Sequence, residues 1–173
     1  MNLDRSGASD HRIGGLAFDA LVELHWDSVY RLVYHLCGNI HDAQDLAQET
    51  FVKAIGARGS FKDGTNLKAW LLRIASNSFL DLRRKRKTTR ATPLETEPAV
   101  IFADGAQNNE LMQMLSSAIQ ELDDTQRTVF LLRTQDDLSF REIAGVLQTT
   151  EETARWHMLQ ARRRLMKQLE GKL

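Results

Sequence analysis

Only two prolines occur among 173 residues, Pro93 and Pro98, and both fall in one short stretch. A proline inside a helix removes a backbone donor and clashes with the preceding turn. A chain that confines its prolines this way leaves room for long helices on either side. The apolar spacing uses that room. From Leu16, a pattern of Phe18, Leu21, Val22, Trp26, Val29, Leu32, Val33 and Leu36 recurs every three or four positions and predicts a first helix ended by Gly38-Asn39. Ala43, Leu46, Ala47, Thr50, Phe51, Ala54 and Ile55 mark a second helix from about residue 41 to 57. Gly56, Gly59 and Gly64 punctuate a loop, after which Leu67, Trp70, Leu71, Ile74, Ser78 and Leu82 mark a third helix. Three faces of that size can close a core.

The proline-bearing stretch, 89–107, breaks the pattern with threonines, acids and Gly105 and reads as a flexible linker, in which Val100-Ile101-Phe102 could dock. Beyond it, Leu111, Met114, Leu115, Ala118, Ile119 and Leu122 predict another helix, and Val129, Phe130 and Leu132 the next. Two last helices follow. The expected fold is therefore all-α: a helical domain over 16–88, the linker, and a second helical domain over 108–173. Residues 1–15, polar and without periodicity, read as a disordered tail.

Those last helices carry the sharpest local signal. Ser139 and Glu142 form a capping box, Ile143, Ala144 and Leu147 supply an apolar face, and Thr150 can cap the helix that begins at Glu151. Ala154, Met158, Ala161, Leu165 and Leu169 keep one side of that helix inward. Glu151, Glu152, Arg155, Trp156, Arg162 and Arg163 then point elsewhere. This is a helix-turn-helix, whose second helix enters the DNA major groove. An ordinary αα-hairpin with a solvated charged face is the plainer alternative.

Charge is zero overall but segregated. Arg83-Arg84-Lys85-Arg86-Lys87 and Arg162-Arg163-Arg164 are basic runs, whereas Asp42, Asp45 and Glu49 lie together on the second helix. Such segregation implies basic faces for phosphate and an acidic face for a basic partner. On the third helix Arg73, Asn77, Asp81 and Arg84 share a stripe leading into the basic run, with Phe61 and Trp70 nearby. Asn and Asp can meet base edges while arginines grip phosphate. Acids near a helix N-terminus suit its dipole, but that leaves Gln48 and Glu49 unexplained.

Other function classes find no support. Cys37 is the sole cysteine, which excludes an internal disulfide and suggests a reducing compartment. No signal peptide is evident, and no apolar run approaches the roughly 18 residues of a membrane span. These features predict a cytoplasmic protein. No catalytic triad, paired catalytic carboxylates, P-loop or metal-ligand spacing occurs, so neither enzymatic activity nor a cofactor is expected.

The ordered set of motifs resembles the sigma family of bacterial RNA polymerase initiation factors, in its short extracytoplasmic-function group. Tyr30-Arg31-Leu32-Val33-Tyr34 with Asp42-Ala43-Gln44-Asp45-Leu46-Ala47-Gln48-Glu49 looks like that family's core-polymerase-binding segment. Ala69-Trp70-Leu71-Leu72-Arg73-Ile74-Ala75-Ser76-Asn77 with Asp81-Leu82-Arg83-Arg84 looks like its promoter-melting, −10-reading helix. The segment from Asp123 through the helix-turn-helix looks like its −35-reading domain. The resemblance implies that Asp42, Asp45, Gln48 and Glu49 dock on the polymerase β′ clamp helices. It places Phe61, Asn66, Arg73, Asn77, Asp81, Arg83, Arg84, Lys85 and Arg86 at the −10 element. It places Ser139, Arg141, Thr150, Glu151, Glu152, Arg155, Trp156, Arg162 and Arg163 at the −35 element. It further implies contact with the polymerase β flap, a linker threaded toward the active-site cleft, an anti-sigma partner, and a monomer when free.

The chain departs from the family pattern at Gln148, Glu152 and Ala154, where Gly, Gly and Val are common. That bears on promoter sequence more than on fold. A stand-alone operator-binding regulator would also use the helix-turn-helix but leaves the acidic face idle. A protein-binding adaptor would leave both basic runs as solvated faces.

Overall fold

In the computed structural model, residues 12–89 and 110–170 are described. Helix α1 (Phe18–Cys37) stops at Gly38, whose φ of 74° places it in the left-handed region. A glycine takes that conformation without a Cβ clash. Asn39 then caps α2 (Ile40–Gly56), accepting the Asp42 N–H at 2.9 Å. A single 3-10 turn (Arg58–Ser60) and an exposed loop lead into α3 (Leu67–Thr89), which carries the basic run in its last turns.

The apolar faces meet as their spacing predicts. Leu21, Val29, Leu32, Val33 and Leu36 of α1 pack with Ala43, Leu46, Ala47 and Phe51 of α2 and with Leu71, Leu72, Ala75 and Phe79 of α3, all buried. Full burial stabilises each Leu or Phe by about 1.5–3 kcal/mol. Trp26 stacks on Phe51 at 5.8 Å, extending this core along α1 through Tyr30 and Tyr34. Cys37 is half-buried, and burial pushes its thiol up to about 12, leaving it protonated at neutral pH.

The second unit contains α4 (Glu110–Gln120), α5 (Asp124–Thr134), α6 (Phe140–Leu147) and α7 (Glu151–Glu170). Asp123 caps α5, accepting the Gln126 N–H at 2.8 Å. The all-α class holds, apart from two short strands.

Those strands correct one expectation. Arg12–Ile13 (β1) and Leu16–Ala17 (β2) pair antiparallel, Ile13 opposite Leu16, and Ile13 is buried. Residues 12–15 are therefore structured, and the rest of the expected tail, 1–11, lies outside the described residues. A signal was available in Gly14-Gly15 between two apolar residues. A two-residue type I′ turn needs positive φ at both central positions, and these glycines have 58° and 80°. The linker assigned to 89–107 lies outside the described residues except Thr89, the last residue of α3.

The helical units also meet directly, which the linker reading did not foresee. Arg127 of α5 donates Nη1 to the Leu36 carbonyl at 2.7 Å, and Gln120 of α4 donates Nε2 to the His35 carbonyl at 2.6 Å. Both carbonyls belong to the last turn of α1, where intrahelical partners run out. The rest of the Arg127 guanidinium donates to the Ile119, Gln120 and Leu122 carbonyls. Each of the three nitrogens of its buried guanidinium thus donates at least one hydrogen bond. Side chains of one unit cap a helix of the other.

Candidate nucleic-acid interface

Helix α2 presents Asp45, Gln48 and Glu49 to solvent, with Glu49 paired to Lys53 one turn on. Asp42 does not share that face. It is buried, and Arg86 of α3 grips it bidentately, Nη1 to Oδ2 at 2.6 Å and Nη2 to Oδ1 at 2.8 Å. The Arg86 guanidinium, with Asn39 assisting, holds the Asp42 carboxyl below the usual carboxylate range. Two residues predicted to contact different partners therefore contact each other. The reason is geometric: Asp42 lies on the α2 flank facing the C-terminal half of α3. Asp45, Glu49, Lys53, Asp81, Lys85 and Arg86 help to line a groove of about 280 Å³ between those helices.

The predicted −10 residues gather along α3 and the loop before it. Phe61 is half-buried and meets Trp70 edge-on, ring centroids 5.4 Å apart. Asn66 caps the start of α3, its Oδ1 accepting the Ala69 N–H at 3.1 Å. Arg73 and Asn77 are half-buried, Asp81 and Arg84 are exposed and pair at 3.3 Å, and Lys85 is exposed.

The helix-turn-helix forms as its caps require. Ser139 Oγ accepts the Glu142 N–H at 3.2 Å while Glu142 accepts the Ser139 N–H at 2.8 Å. Thr150 Oγ1 accepts the Thr153 N–H at 3.1 Å at the head of α7. Between them Gln148 takes φ 53°, the conformation for which glycine is usual at this turn. Glu151, Glu152, Arg155, Trp156, Arg162 and Arg163 are all exposed on α7, as is Arg141 on α6. Arg155 lies over the Phe140 ring at 4.6 Å and within 3.5 Å of Glu151, so its direction is set by two neighbours. Trp156 is 53% exposed, unusual for an indole and suited to contact with a partner.

Two predicted −10 residues, Asn66 and Arg83, are engaged by side chains of the second unit. Asn66 donates Nδ2 to Glu142 Oε1 at 2.7 Å. The Ser139 backbone N–H, with Asn66 assisting, holds the Glu142 carboxyl below its usual range. Thr65, Asn66, Trp70 and Arg73 face Glu142 and Val146 across a cavity of about 240 Å³. Arg83 Nε and Lys87 Nζ both donate to Asp124, at 3.0 and 3.2 Å. Lys68 pairs at 3.0 Å with Asp136, whose side chain is fully buried. Burial pushes the Asp136 carboxyl above the usual carboxylate range, and Lys68 opposes that shift. Sequence reasoning missed Arg127, Gln120, Lys68 and Asp136. Their partners lie far off in sequence, and each alone reads as an ordinary surface residue.

Among the described residues no helix is long and apolar enough to cross a membrane. Two family models match in order: sigma-70 region 2 over residues 21–89, and sigma-70 region 4 over 112–165. The chain is 34% identical over 166 residues to the ECF RNA polymerase sigma factor SigW of Bacillus subtilis, covering 88% of this chain and 89% of that protein. It is 30% identical over 167 residues to the RNA polymerase sigma-H factor of Pseudomonas aeruginosa, covering 89% and 86%. Among solved structures it is similar to the sigma factor RpoE in complex with the anti-sigma factor NepR from Bartonella quintana. That match has a TM-score of 0.74 at 26% identity and covers 88% of this chain and 96% of the other.

Proposed function

The chain belongs to the sigma-70 family, in its extracytoplasmic-function group, and from that premise we propose how its surfaces divide the work of promoter-specific initiation. One observation carries the reading: regions 2 and 4 occur in order on separate helical units, each with an exposed charged surface of its own. The chain binds core RNA polymerase and directs it to promoters, and the bond-forming chemistry belongs to the polymerase.

Asp45, Gln48 and Glu49 form the core-docking face and meet a basic surface of the β′ clamp. Asp42 contributes by fixing α2 against α3 through Arg86. The loop ending at Asn66, with Phe61, Arg73 and Asn77, takes unstacked −10 bases. Arg84 and Lys85 hold the neighbouring backbone, a contact that orients without reading sequence. Glu151, Glu152, Arg155 and Trp156 enter the −35 major groove, where acids accept from cytosine amino groups and arginine donates to guanine. Ser139, Arg141, Thr150, Arg162 and Arg163 flank that groove. Action on polymerase places the protein in the cytoplasm. The RpoE–NepR complex supports an anti-sigma partner for this chain as well. A stand-alone regulator is disfavoured because it leaves the acidic face of α2 without a role.

Binding of purified core polymerase to the chain and to its Asp45→Arg variant tests the docking assignment. The variant loses polymerase affinity while its isotherm on −35 duplex DNA stays that of the parent. Equal polymerase affinity for both proteins overturns the assignment.

A further inference from the structure

The hairpin at 12–17 lies outside every surface assigned above, yet its tip rests on the entrance to the −10 site. Its two turn glycines share positive φ and differ in surroundings. A Cβ at Gly15 would meet nothing within 4 Å. At Gly14 it would lie 3.1 Å from Leu67 Cδ2, 3.2 Å from Phe61 Cε1 and 3.6 Å from Phe61 Cζ. The backbone of Gly14 therefore sits against the two residues that bracket loop 62–66, and only glycine allows that approach without displacing one of them. On its other side Phe61 meets Trp70 at 5.4 Å. Phe61 is thus held between the hairpin tip and α3.

The hairpin is itself anchored. Ile13 is 3% exposed, and the Arg12 guanidinium donates to the Gly15 carbonyl at 3.3 Å. The loop it supports is short and exposed. Its internal bonds are local, from the Thr65 N–H and hydroxyl to the Lys62 carbonyl at 3.2 and 2.6 Å. Beyond Asn66, which caps α3 and donates to Glu142, the loop takes its position from its two ends.

We propose that the hairpin is a positioning element for the base-capturing loop, and that Gly14 sets where Phe61 stands and so which −10 base the loop accepts. The inference rests on the reading of loop 62–66 as the −10 site. Gly14 touches no DNA; it acts through Phe61.

The test uses the full chain with core polymerase. Run-off transcription is measured on promoters carrying each of the four bases in turn at every −10 position. Gly15→Ala imposes the same positive-φ strain without the contact, and its base-preference profile stays that of wild type. Gly14→Ala moves Phe61 and changes relative base use at one −10 position by about fivefold or more, within the range of a single base contact. Its polymerase affinity and −35 preference do not change. Ile13→Ala loosens the hairpin without touching the turn and broadens preference at the same position, so it decides the matter if Gly14→Ala fails to fold. Wild-type profiles for both Gly14→Ala and Ile13→Ala overturn the proposal. So does a profile change for Gly15→Ala equal to that for Gly14→Ala, because turn strain then explains both. Absence of promoter-specific transcripts with the wild-type chain is a separate outcome: it removes the −10 reading on which the proposal stands.

Discussion

Asp42 and Asp45 are three residues apart on one helix, and the fold gives them different work. Asp42 is an internal tie to Arg86, whereas Asp45 is open to a partner. Removing the Asp42 carboxylate leaves the Arg86 guanidinium without its bidentate acceptor. Asp42→Ala is therefore expected to lower stability by about 1–3 kcal/mol in denaturant melts. Asp45→Arg should stay within about 0.5 kcal/mol of wild type. The sign of the pH effect follows from the lowered Asp42 carboxyl. A folded-state value below the ordinary 3.8 gives stabilisation that is complete above 3.8 and lost as pH falls through the folded value. Asp42→Asn should flatten that acid limb; an unchanged limb contradicts the assignment. Arg155 is held by Phe140 and Glu151; on the proposal that it pairs with guanine, its removal should cost about 1–3 kcal/mol of −35 binding, with preference relaxed at one base pair. A uniform loss across sequences makes it a phosphate contact instead.

At the level of elements, local chemistry decided how much could be read in advance. Ser139 and Glu142 located the start of α6 because a capping box is written in four consecutive residues and satisfied within them. Gly38 likewise ended α1. The hairpin at 12–17 escaped because two-residue strands carry almost no alternation, and only the paired glycines mark the turn. Asp42 was misassigned for a related reason. Helical spacing gives the face of a residue to within one flank, and that flank decides between solvent and Arg86. The helix-turn-helix itself contains a removable strain. Gln148 occupies φ 53°, which costs a non-glycine residue roughly 1–2 kcal/mol. Part of that is offset because glycine adds backbone freedom to the unfolded chain. Gln148→Gly should therefore raise the melting temperature modestly and leave −35 preference intact. A lower melting temperature refutes the strain argument.

Across the whole molecule, the two helical units that were legible as separate cores are joined by polar contacts that were not. Arg127 to Leu36, Gln120 to His35, Lys68 to Asp136 and Asn66 to Glu142 link residues remote in sequence, and no local pattern announces them. The resemblance places Asn66 and Arg83 at the −10 element, and both are engaged by the other unit; on that assignment, binding of the two promoter elements would require the units to separate. Lys68→Glu sets a like charge against the buried Asp136 carboxylate and should open the free chain. Small-angle scattering should show a larger radius of gyration and titration should show tighter binding to −10 single strands; an unchanged radius contradicts the linkage. Whether these surfaces together make an initiation factor is decided by run-off transcription from a promoter library, with the purified chain added to core polymerase. Transcripts starting at a restricted set of promoters that share −10 and −35 sequences are expected, and only when both components are present. No specific transcripts, together with tight sequence-specific DNA binding by the chain alone, is the contrary result.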